Sequence, residues 1–191
     1  MEAIETFENA GFTVSLYHDE HNAGSPREWD NLGKMVCWHR RYTLGDEQIK
    51  PSNFENRDAL EASLGARIVI PLYLYDHGGI TMRTSPFGDP WDSGQVGFIY
   101  VTDAVIREEY VVTEITEAVL ERARAVLEGE VKDYDQYLTG DVYGWVVERP
   151  CKECGKGQRV DSCWGLYGLE YARKEAQAAL ASASNGKKEG G

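Results

Sequence analysis

The pair Cys151-x-x-Cys154 has the spacing that grips a metal ion or cycles as a dithiol, and Cys163 follows nine residues later. A structural zinc site takes four ligands, usually from two such pairs. This chain has no second CxxC and no HxxxH, so only Cys37 or a distant histidine is left to complete a set. A redox pair belongs at a strand-to-helix turn of a βαβ unit, whereas the pattern around residues 142–164 is that of a hairpin. The expectation is therefore ordinary thiols and no cofactor. Zinc on Cys151, Cys154 and Cys163 is the alternative.

A second group, His18-Asp19-Glu20-His21 with Glu28 and Asp30 beyond it, has side chains that suit a divalent cation. Its spacing matches neither HExxH nor an EF-hand loop, and a solvated acidic loop is the plainer expectation. His39 and His77 flank turns with no partner evident in sequence. Three further places set a carboxylate beside an indole: Trp29-Asp30, Trp91-Asp92, and Asp161 near Trp164. Desolvation in a shared pocket would raise a carboxyl pKa and make an acid–base pair. The plainer expectation puts the indoles in the core and the aspartates on turn amides.

Nucleophiles have thin support. Ser93 lacks the GxSxG elbow, and Cys37 and Cys163 lie in strand-like stretches where burial makes a thiol inert. No GxGxxG or GxxxxGK[ST] phosphate loop occurs. Arg40-Arg41-Tyr42 is the one concentrated basic–aromatic patch, and it is small for a binding face. An enzyme is not the expectation.

Charge says more. The chain has 191 residues with 20 Lys+Arg against 32 Asp+Glu, a net charge of −12. Residues 1–32 hold seven acids and one base, and residues 103–135 hold ten acids and four bases, while the rest nearly cancels. Such a chain is repelled by phosphate backbones, so the expected partner is a protein with a basic surface and not nucleic acid directly. Glu114, Glu117, Glu121, Glu128 and Asp135 fall mostly off the apolar stripe of a long helix and are the candidate acidic binding face. Carboxylates along a rod imitate phosphates; a merely solvated helical face is the plainer alternative.

The elements that must position these residues follow from periodicity. Strands are predicted over 12–18, 34–39, 68–75, 80–84, 95–101, 142–148 and 159–164. Residues 68–84 form a hairpin around Asp76-His77-Gly78-Gly79, and Pro71 demands an edge or a bulge. Residues 46–56 read as loop. Helices are predicted over 58–64, 103–110, from Thr113 or Thr116 to about 138, and 169–182. In the long one Val119, Ala123, Leu127, Val131, Tyr134 and Leu138 make the inward stripe. Paired strands with helices grouped late predict an α+β fold, mainly antiparallel, with one long acidic helix and a C-terminal amphipathic helix. The expected organisation is one domain over 1–183 and a disordered tail over 184–191. No apolar run approaches the length of a membrane span. The acidic start argues against a signal peptide and the sparse cysteines against a secreted scaffold, so a cytoplasmic address is expected.

Residues 25–33 (SPREWDNLG), 89–97 (DPWDSGQVG) and 134–144 (YDQYLTGDVYG), with Asp161-Ser162-Cys163-Trp164-Gly165, resemble an uncharacterised family carried by phages and other mobile elements of bacteria. The resemblance covers about residues 12–170. It implies an accessory protein made inside a bacterial cell and acting on host machinery, and it implies that the CxxC is a local feature of this chain. Charge and resemblance together predict an acidic accessory protein that binds a host protein, as an anti-defence inhibitor or nucleic-acid mimic. A metal-binding domain or metal-dependent enzyme built on the acidic and histidine loops is the rival.

Overall fold

The computed structural model describes residues 2–20, 23–55, 57–151, 155 and 157–185. In chain order the strands and helices are β1 (Glu5–Asn9), β2 (Phe12–His18), β3 (Lys34–Cys37), β4 (Glu47–Gln48), α1 (Arg57–Ser63), β5 (Ile68–Asp76), β6 (Ile80–Arg83), β7 (Ser93–Val101), α2 (Asp103–Tyr110), α3 (Glu117–Thr139), β8 (Val142–Pro150), β9 (Gly157–Tyr167) and α4 (Leu169–Asn185). Short 3-10 turns lie at Pro26–Glu28 and Pro51–Asn53. The fold is α+β with mainly antiparallel sheets. The chain groups into two compact units, Met1–Gly24 with Gly140–Gly191, and Ser25–Thr139.

The first unit is an antiparallel sheet in the order β1-β2-β8-β9, covered on one face by α4. Val14 faces Val147 and Leu16 faces Trp145 across the β2–β8 ladder. Ala172, Ala176 and Leu180, four residues apart on α4, close the same core. Alanine at two of these positions lets the helix approach the sheet closely. Asp19 is buried, and its carboxylate accepts the Gly165 N–H at 2.9 Å. On β8, Gly144 lies beneath the Trp164 ring, and a Cβ there would overlap ring atoms and approach the Cys163 carbonyl to 2.9 Å.

In the second unit the order is β4-β3-β7-β5-β6, antiparallel except for the short β3–β4 pair. The α3 stripe of Ala123, Leu127, Val131 and Tyr134 packs with Met35, Ile70, Leu72, Leu74, Met82 and Ile99. A smaller cluster of Val36, Phe98 and Leu60 of α1 is joined by Trp38 and Tyr100. β6 pairs with β5 only from Tyr73 onward, and a register shift falls between Leu72 and Tyr73. Pro71 therefore sits beside both a free edge and a bulge, as its missing N–H requires.

Several elements differ from expectation. β1 gives no clear strand signal in sequence, because its side chains are mostly exposed and only Phe7 joins the core. It is held by a two-residue turn in which Ala10 (φ 49°) and Gly11 (φ 80°) both take positive φ, the conformation that matches strand twist in a tight hairpin. The stretch 46–56 contains β4 and a 3-10 turn. α4 continues through Asn185, and Ser184 is buried with its hydroxyl donating to the Leu180 carbonyl at 2.7 Å, so the expected tail begins too early. Residues 186–191 lie outside the described residues.

Candidate functional site: a cleft at the end of the second sheet

The strand ends of the second unit surround a cleft of about 430 Å³. Leu74 of β5 and Gly94 of β7 are direct partners in the ladder, and paired residues project to the same side of a sheet. Leu74 is buried, Gly94 is exposed, and a Cβ added to Gly94 would meet nothing within 4 Å. The hollow exists because this strand position has no side chain. Leu74, Val96 and the bare Gly94 backbone line it from the sheet, with the chain from Trp38 to Arg41 and the Trp91-Asp92-Ser93 segment around them.

Both flanking segments are held locally. Asp89 Oδ1 accepts the N–H groups of Trp91 (2.8 Å) and Asp92 (3.0 Å), bonds that hold its own carboxyl below the usual range. The Ser93 hydroxyl donates to the Asp89 carbonyl and is thereby engaged. This tight turn leaves the Trp91 side out in solvent, with the residue 91% exposed. Across the cleft, His39 Nδ1 accepts the N–H groups of Arg41 and Tyr42, each at 3.3 Å, and its ring stacks on Tyr42. Burial, the largest effect, pulls the His39 pKa below its ordinary value, with Arg41 and Arg40 adding to the fall and Asp76 opposing it. A neutral ring whose Nδ1 is an acceptor carries its proton on Nε2.

The charged lining divides into pairs. Arg41 binds the Asp76 carboxylate, which the Tyr42 hydroxyl also approaches at 3.4 Å. His77 Nδ1 lies 2.8 Å from Asp92 Oδ2. Arg40 is exposed and makes no ion pair among the described residues.

Among the sequence candidates, Trp91 and Asp92 lie on this cleft, while Trp29, Asp30 and Asp161 are not part of its lining. Trp29 is 50% exposed, so it and Trp91 depart from the expectation that the indoles fill the core; Trp145 does fill it. Asp161 accepts the Ser162 N–H at 2.8 Å. Of the acidic face, Glu117, Glu121 and Glu128 project outward from α3, and Glu114 is exposed in the turn before it. Asp135 needs correction: it turns inward and accepts the Thr81 hydroxyl and the Met82 N–H, both at 2.7 Å, so it ties α3 to β6. Cys163 is half-buried on β9 and Cys151 follows β8; Cys154 and His21 lie outside the described residues. Among the described residues no three His, Cys, Asp or Glu side chains gather as a metal site, and no helix is long and apolar enough to cross a membrane.

No local sequence pattern marks Arg27, the most connected charge among the described residues of the unit. The Arg27 side chain is 5% exposed, donates to Asp46 through Nε (2.9 Å) and Nη2 (2.7 Å), to Glu130 through Nη1 (3.0 Å), and to the Gly33 carbonyl (2.6 Å). Glu130 in turn accepts the N–H of Leu32 and Asp46 that of Met35. With all its partners in place the guanidinium joins the 3-10 turn, α3 and the β3–β4 connection, a structural role. The chain matches no protein-family model, no curated protein and no solved structure.

Proposed function

We propose that this protein is a non-catalytic binding protein whose working site is the cleft beside Gly94. One observation carries the reading: a strand position without a side chain opens onto a hollow whose lining includes Trp91, a residue 91% exposed. A large ring left in water contributes little to the fold, and a bare strand backbone is where a ligand approaches closely. The side chains around it support binding over chemistry, since the Ser93 hydroxyl is engaged and the His77–Asp92 pair is largely solvated. The test is a screen of a mixed metabolite and fragment panel by protein-observed NMR, using wild type and Gly94→Leu. Ligands should shift the Gly94 amide and the Trp91 indole together in the wild type only. A panel in which nothing shifts either signal refutes the reading.

A second reading is favoured by the carboxylates left over after internal pairing. Glu108, Glu109, Glu114, Glu117, Glu121 and Glu128 are exposed and form no ion pair among the described residues, although Arg122, Arg124 and Lys132 are interspersed with them. This supports an acidic accessory protein meeting a basic host protein in the bacterial cytoplasm, in line with the family resemblance. Pull-down from lysate with wild type and with glutamine at Glu114, Glu117, Glu121 and Glu128 tests it. A basic partner captured at low salt should be lost from the variant, and equal capture by both argues against it.

A further inference from the structure

The geometry points to a small, flat, singly anionic ligand for the Gly94 cleft: an aromatic ring bearing one phosphate or carboxylate group. The inference rests on the reading of that cleft as a ligand site and adds the chemistry it selects.

Charge decides the sign. Asp76 is ion-paired with Arg41, and Asp92 is hydrogen-bonded to His77, an ion pair only when that ring is protonated. Arg40 stands outside both pairs among the described residues, and His39 offers a neutral imidazole with its Nε2–H. Arg40 is thus the lining cation left without a carboxylate partner among the described residues, and with the His39 donor beside it the arginine fits one anionic group. A net charge of −12 opposes any anion at long range, so attraction must be local to Arg40. For the same reason a nucleic-acid strand does not fit: neutralising successive phosphates takes several cations along a groove, and this cleft has one that is unpaired.

Shape decides the rest. Leu74 and Val96 give an apolar floor, Gly94 leaves a flat strip of peptide exposed, and Trp91 borders it, while the Trp38 indole packs edge-on against Phe98 in the smaller cluster. A planar ring lies against such a surface with little distortion, and an indole stacks on it. The volume of about 430 Å³ lies near the lower end of the range of about 300–1,000 Å³ for ligand pockets, which suits a single ring system with one charged group.

The experiment is a titration of the whole chain followed by NMR at the Gly94 amide and Trp91 indole, at fixed low salt. The probes are adenosine 5′-monophosphate and indole-3-acetate as ringed anions, adenosine as a neutral ring, tryptamine as a cationic ring, and inorganic phosphate as an anion without a ring. At least one ringed anion should bind tenfold or more tightly than the other three, and the ratio between the two anions tells phosphate from carboxylate. Arg40→Gln should weaken that anion at least tenfold while leaving adenosine unchanged, and Gly94→Leu should abolish both. The open space at position 94 keeps that variant folded, and its melting curve checks this. Equal binding of adenosine or tryptamine, or indifference to Arg40→Gln, overturns the anion assignment while the cleft stands as a ligand site. Phosphate binding as tightly as the ringed anions overturns the ring requirement. If no probe moves either signal and the wider panel is equally silent, the cleft reading itself fails and the assignment with it.

Discussion

Leu74 and Gly94 face each other across the β5–β7 ladder, and where the leucine is 2% exposed the glycine opens onto a cleft. Gly144 on β8 has the opposite surroundings, with the Trp164 ring lying where a Cβ would go. The same substitution should therefore change sign between them. Gly94→Ala should raise stability by about 0.4–1 kcal/mol, because alanine narrows the unfolded ensemble and meets nothing in the folded one. Gly144→Ala should lower it by about 1–3 kcal/mol through overpacking. Urea denaturation of both variants gives the comparison; a loss at Gly94 as large as that at Gly144 would show that the hollow is not open.

Arg27 should be the most destabilising charged residue to remove in the second unit. Its partners Glu130 and Asp46 have side chains only 10% and 21% exposed, and Arg27→Met leaves both without the guanidinium. Breaking a buried pair from one side costs about 3–5 kcal/mol. Adding Glu130→Gln to Arg27→Met should recover part of that loss, since one stranded charge is gone. Additive losses in chemical denaturation would mean that the two side chains are not coupled in this way.

The same arginine shows why some of the molecule could not be read from the chain. The Ile68–Tyr75 hairpin strand and the α3 stripe were legible because their signals repeat every two residues or every three to four, within one element. Arg27 meets Asp46 and Glu130 at separations of 19 and 103 residues, and no local period records that. Asp135 looked like a surface acid because its neighbours are; only the approach of β6 gives it the Thr81 hydroxyl and the Met82 amide. At the cleft, Trp91 and Asp92 stood out by type. Arg40-Arg41-Tyr42 looked too small to act alone, and Gly94 carried no signal. Their meaning comes from the β5–β7 pairing that sets one bare residue opposite Leu74.

Cys37 should behave as an inert thiol and give the fold a recognisable alkaline slope. The residue is fully buried, and burial pushes its pKa from 9.0 up to about 12. The folded state keeps its proton after the unfolded state has lost it, so this contribution is complete below pH 9 and is lost as pH rises toward 12. Between those values stability should fall by about 1.4 kcal/mol per pH unit from this group. Tyr143, likewise raised to about 12 by burial, adds to the slope only above about pH 10, its ordinary value. Denaturation of wild type and Cys37→Ala between pH 8.5 and 10 isolates the cysteine: the variant should be less stable overall but flatter with pH. A thiol reagent at pH 8 should modify Cys37 only on unfolding, and rapid labelling of the native protein would contradict its burial.

His39 should titrate below its ordinary value of 6.5, and in a definite tautomer. Its Nδ1 accepts two backbone N–H groups and burial disfavours the imidazolium. Because the folded pKa is depressed, its stabilising contribution is present above pH 6.5 and is lost as pH falls through the folded value. Protonation sets a new N–H against the amides of Arg41 and Tyr42, so the loop carrying Arg40 should loosen in the same step. Nitrogen-detected NMR should show the proton on Nε2 at pH 7, a midpoint under 6.5, and the Arg41 and Tyr42 amides moving with that midpoint. A proton found on Nδ1, or amides that ignore the titration, would mean that the imidazole does not brace the loop, leaving Arg40 free of any pH control from this residue.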